Sequence, residues 1–169
     1  MSSLREIKSK IEACKAWDEP VPEIIMQEYR RLLKKFRLPK IYRREIEGLQ
    51  RAWKEAGKSP AKDRYLPFLS CLYTVGNAWR ARGDLERILK LAARQYRLDV
   101  EADIFKFCLN VGAVGQRLDR RTHHRWLCVV RYANAFDVPP KRFRQTIKAV
   151  GGVNACARRW QIIRRLYPR

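Results

Sequence analysis

The sequence predicts an all-α protein, a compact bundle of eight or nine short helices. Three observations lead there. Apolar residues recur every three or four positions along the chain. No run alternates apolar and polar residues with the period of a strand. Clusters of Pro, Gly and Asp cut the helical pattern into pieces.

Leu4, Ile7, Ile11 and Cys14 define a first helix reaching about Trp17, which DEPVP (18–22) ends. Ile24, Ile25, Tyr29, Leu32, Leu33 and Phe36 give a second, ended by LPK (38–40). Ile41, Ile46, Leu49 and Trp53 give a third. GKSP (57–60) is the clearest linker, so the expected division is a helical segment over 1–58 and a helical core over 61–169. Residues from about Asp63 to Ala81 are apolar on most faces, including Leu66, Phe68, Leu69, Leu72, Tyr73, Val75 and Trp79. That pattern belongs to a buried central helix. Pro67 fits its first turn, where a missing N–H is harmless.

Gly83 then Asp84 reads as a helix stop followed by an N-cap, opening a helix through Leu85, Ile88, Leu89 and Ala92. Ile104, Phe105, Cys108 and Leu109 mark the next helix, ending near Gly112 to Gly115. Asp119 opens a helix through Trp126, Leu127, Val130 and Ala133. Two more follow, over 139–150 and from Asn154 to Leu166. KKFRLPK (34–40), RQYRLDV (94–100) and NAFDVPP (134–140) echo one another between helices, as corners or as a duplicated unit.

Charge points to function. The 169 residues carry 38 Lys plus Arg against 17 Asp plus Glu, a net charge of +21. Self-repulsion of that size opposes the compact state, so a polyanionic partner is expected. Over half the excess sits in residues 115–169, which hold 14 basic and 2 acidic residues. Nucleic acid is the expected partner, DNA ahead of RNA, because neutralising phosphates releases counterions. A membrane is not expected: no stretch of ~18 apolar residues occurs. Five scattered cysteines without a CxxC pair suggest reduced thiols and a cytoplasmic or nucleoid-associated protein, with no metal and no other cofactor. The N-terminus lacks the apolar stretch of a secretory signal.

The segment 119–150 resembles a helix-turn-helix unit. Ala133 is the small residue of the first helix, and Phe136 its last apolar residue. Asp137 stands in the turn, where Gly is usual, Val138 follows as the aliphatic residue, and Phe143 anchors the second helix. The resemblance implies that 139–150 lies along a groove. Arg144 and Gln145 would then read bases, while Lys141, Arg142 and Lys148 hold phosphates. The last helix adds Arg158, Arg159, Arg164, Arg165 and Arg169 as phosphate ligands, with Tyr167 a candidate for base stacking. A second basic group comprises Lys34, Lys35, Arg37, Lys40, Arg43 and Arg44, beside Arg30 and Arg31.

Other chemistry finds little support. His124 and Cys128 are four apart, but a nucleophilic pair also needs an orienting group. No phosphate-binding glycine loop, HExxH or clustered acids occur, so an enzyme is not expected. The leading expectation is a non-enzymatic nucleic-acid-binding protein, with 139–150 a candidate for reading duplex DNA. The alternative is a helical subunit of a ribonucleoprotein effector complex that holds RNA or single-stranded DNA without reading sequence, among other subunits. An adaptor using the same charge is a third.

Overall fold

The computed structural model describes residues 4–61, 63–113 and 118–167, without the side chains of Leu4 and of residues 33–36. Among these, nine α-helices form and no strand does: α1 (Leu4–Ala16), α2 (Glu23–Phe36), α3 (Lys40–Lys58), α4 (Leu66–Ala81), α5 (Leu85–Tyr96), α6 (Ile104–Gly112), α7 (Arg120–Ala135), α8 (Phe143–Ala149) and α9 (Gly152–Leu166). The all-α expectation holds.

The chain divides into two units, residues 1–39 and 40–169. In the first, α1 packs on α2. Ile7 is buried, while Trp17 and Ile24 are largely exposed. The break falls at LPK and not at GKSP. The reason is α3: Tyr42, Ile46, Leu49, Trp53 and Ala56 form one buried face, and α3 packs on both α4 and α6. Its apolar stripe makes it part of the larger core, although a linker follows it.

In the larger unit α4 is the central helix, as its composition predicts. It packs on α3, α6, α7 and α8. Pro67 sits in its first turn. Gly76 lets Phe105 of α6 approach, since a Cβ there would lie 2.6 Å from the Phe105 ring. Tyr73 stacks between Phe105 (centroids 5.9 Å apart) and Phe143 of α8 (4.9 Å). A second aromatic cluster joins Trp53, Tyr65, Phe68 and Trp126, with centroids 4.8–6.0 Å apart. Polar bonds close the third side. Trp79 Nε1 donates to Glu45 (2.9 Å), Arg82 grips the same carboxylate at 2.6 and 2.7 Å, and Tyr42 donates to Asp84 (2.6 Å). Asp84 thus occupies the expected N-cap position of α5, but its side chain makes no capping bond and serves Tyr42.

Three corners share one device. Asp18, Arg97 and Asp137 have φ of 53°, 54° and 47°. In each, the residue after them donates back across the corner at 2.9 Å: Glu19 to Cys14, Leu98 to Ala93, Val138 to Ala133. This is the Schellman closure with a non-glycine residue in the left-handed region, strained by about 1 kcal/mol. An aromatic residue precedes each (Trp17, Tyr96, Phe136). The echo of RQYRLDV and NAFDVPP is therefore a shared helix ending. KKFRLPK does not belong with them, because Arg37 is extended (φ −88°, ψ 133°).

Candidate nucleic-acid interface

The corner between α7 and α8 is closed by buried apolar residues around a left-handed turn. Ala133, Phe143 and Ile147 are wholly buried and Val138 nearly so. Asp137 takes the left-handed conformation that the turn requires. Tyr73 Oη donates to the Val138 carbonyl at 2.7 Å and lies 3.2 Å from that of Ala133, tying the turn to α4. Asp119 caps α7 by accepting from Thr122 N (2.9 Å).

The corner departs from the expectation in two ways. The helix foreseen over 139–150 begins as a 3-10 turn, Pro140–Arg142, before α8. Pro139 and Pro140 supply no N–H, and Arg142 N reaches the Pro139 carbonyl at 2.8 Å in the tighter pattern. Phe136 is 56% exposed and leans on Tyr132 (4.7 Å) outside the core.

Lys141, Arg142, Arg144, Gln145 and Lys148 are all exposed. Lys141, Arg144 and Lys148 follow three- and four-residue spacing and share one side of the helix. On α9, Arg158, Arg159, Arg164 and Arg165 are exposed too, as is Tyr167. Arg169 lies outside the described residues. Among the described residues no ion pair engages a cation of α8 or α9; the pairs run from Arg30, Lys58, Arg82, Lys90, Lys106 and Arg131 to acids elsewhere. Arg131 is thereby fixed. Its guanidinium holds Asp103 at 2.6 and 3.0 Å, and Asp103 also caps α6 through the amides of Phe105 and Lys106.

A cleft of about 360 Å³ opens between α7 and α9. Arg121, His124 and Arg125 line it from α7, and Asn154, Ala157, Arg158 and Gln161 from α9. No carboxylate lines it. Of these residues only Arg158 is among the candidate ligands read from sequence. The missing signal was periodicity: Asn154, Arg158 and Gln161 recur at i, i+4 and i+7, and Arg121 and Arg125 at i, i+4. That these two stripes face one cleft is a tertiary fact.

The second basic group is divided between the two units. Arg37 lies in the smaller unit and is exposed; the side chains of Lys34 and Lys35 lie outside the described residues. Lys40 and Arg44 are exposed, and Arg43 is half-buried on α3. Farther along α3, Arg51 and Lys54 join Arg44 around a hollow of about 560 Å³ that Glu47 and Gln50 also border. Burial raises the Cys71 thiol on α4, while Arg144 and Arg51 both draw it down. The α4 helix packs on both α3 and α8.

His123 is half-buried and His124 is exposed at the cleft. His123 Nε2 lies 3.0 Å from Asn110 Oδ1, and burial holds its pKa below the ordinary value. His124 Nε2 lies 3.5 Å from Cys128 Sγ. Burial pushes that thiol up, the opposite of what an activated nucleophile needs. No group of three metal-ligating side chains gathers among the described residues. No helix among them is long and apolar enough to cross a membrane.

No protein-family model matches the chain, and no curated protein or solved structure matches it either.

Proposed function

We propose that this is a non-enzymatic nucleic-acid-binding protein that engages phosphates through the surface formed by α7, α8 and α9. One observation carries the reading: the exposed cations of α8 and α9 have no carboxylate partners among the described residues. Like charges left unpaired at that density favour a polyanion that replaces the missing acids.

Phosphate holding is favoured over base reading by duplex-groove insertion. The helix meant to enter a groove has only seven α-helical residues behind a 3-10 turn. Arg144 stands in an exposed row with Lys141 and Lys148, which suits successive phosphates. The alternative of a ribonucleoprotein subunit uses the same surface, with the exposed Arg44, Arg51 and Lys54 of α3 as further cations.

The test compares binding to duplexes of unrelated sequence in moderate salt, for wild type and for Arg144→Ala and Gln145→Ala. Similar affinities for all duplexes, lowered alike by Arg144→Ala and untouched by Gln145→Ala, support phosphate holding. A strong preference for one duplex, relaxed by either variant, overturns it in favour of base reading. Absence of any binding overturns the proposed function itself.

A further inference from the structure

Resting on that reading, we infer that the α7–α9 cleft is a subsite for one unpaired nucleotide, taking its phosphate and its base together, so that the protein prefers single-stranded nucleic acid to duplex.

The cleft contains more than phosphate holding requires. Arg121, Arg125 and Arg158 converge on it with no carboxylate among them. Asp119, the nearest acid in sequence, is occupied at the N-cap of α7 and its carboxyl is held below its ordinary value first by the Thr122 side chain and amide. Arg125 also acts on Asp119 through space, but no ion pair engages Arg121, Arg125 or Arg158 among the described residues, so their planar guanidinium groups are open to phosphate oxygens.

Asn154 and Gln161 stand beside them, one helical turn to either side of Arg158. Each amide offers both donors and acceptors. A phosphate oxygen uses only the donors. A base edge or a ribose uses both, so two amides in an arginine cleft fit a nucleoside better than a bare phosphate. The volume, about 360 Å³, falls in the range of small-molecule sites. Ala157, buried, is the one apolar side chain of the lining. The His124 ring and the guanidinium planes supply flat surfaces on which an unstacked base can lie. A paired base cannot enter, because its edge faces its partner and its faces are covered by neighbours.

The experiment measures affinities for a single strand and for a duplex of equal length and mixed sequence, in both DNA and RNA form, at one salt concentration. Proteins compared are wild type, Asn154→Ala/Gln161→Ala and Arg121→Ala/Arg158→Ala. Asn154, Gln161, Arg121 and Arg158 are exposed, so each variant keeps the core; thermal unfolding checks this. The expected result is tighter single-strand binding by wild type. The amide variant loses roughly five- to tenfold for single strands, as expected for lost hydrogen bonds, and nothing for duplex. The arginine variant weakens both and flattens the salt slope. Equal affinities for both forms, or an amide variant that changes neither or both equally, overturns the subsite while leaving phosphate binding intact. Wild type that binds no nucleic acid overturns both.

Discussion

The Tyr73 hydroxyl donates to the Val138 carbonyl across 2.7 Å, binding the turn before α8 to the middle of α4. The two residues are 65 positions apart, and the bond is buried. The ring beneath it stacks on Phe143 and Phe105. The basic side of α8 is therefore mounted on the central helix and not on a free loop. Tyr73→Phe removes the donor and leaves the ring. We expect a loss of about 1–2 kcal/mol in denaturant unfolding, with the m-value unchanged. Amide exchange should accelerate around residues 136–142. Unchanged exchange there would show that the turn is held by its own closure alone.

Asp103 joins two helices, capping α6 and holding Arg131 of α7. Burial raises its carboxyl, but Arg131 and the amides of Lys106 and Phe105 outweigh burial and hold it below the ordinary 3.8. A depressed carboxyl contributes stability above the unfolded value and loses it as pH falls through the folded one. Stability should therefore drop below about pH 4, and Asp103→Asn should flatten that drop. At neutral pH, Asp103→Ala should lose about 2–3 kcal/mol through the missing cap and the stranded guanidinium. Urea unfolding at a series of pH values measures both.

Gly76 faces the Phe105 ring with no space for a side chain: a Cβ would lie 2.6 and 2.7 Å from two of its carbons. Phe105 cannot retreat easily, since Arg80 covers it at 4.5 Å and Tyr73 stacks on it. Gly76→Ala should destabilise by about 1–3 kcal/mol, against the gain in helix propensity that Ala brings elsewhere. A neutral or stabilising result would place Phe105 away from α4.

The thiols report on packing. Cys108, Cys128 and Cys156 are buried, with Cys156 pushed up to about 12 and the other two raised, all by burial first. Cys14 and Cys71 are half-buried. A thiol reagent near neutral pH should label at most these two in the native protein and all five after denaturation, read by mass spectrometry. Rapid native labelling of Cys128 would contradict the packing of α7.

Much of this was legible in the sequence. The periodicity of Ile46, Leu49 and Trp53, the Pro at the start of α4 and the cap at Asp119 each act locally, so local reading finds them. The unit boundary was not legible, because α3 is assigned by what its apolar stripe buries and not by the linker after it. Asp84 shows the same limit: its position marks a helix start, but Tyr42, 42 residues earlier, takes its carboxylate. The basic surface was visible as charge on 141–148 and 158–165. The cleft was not, since Arg121 and Arg158 meet only when α7 and α9 pack together.

The central claim is that α8 and its neighbours hold phosphates, and salt tests it most directly. Affinity for duplex DNA is measured across salt concentrations for wild type and for Lys141→Ala/Arg144→Ala/Lys148→Ala. All three side chains are exposed, so thermal stability should stay within about 0.5 kcal/mol of wild type. Wild type should show affinity falling steeply on a log–log plot, and the variant a slope smaller by about 2–3, near 0.9 for each phosphate contact removed. A shallow slope in wild type, or an identical slope in the variant, would contradict the account.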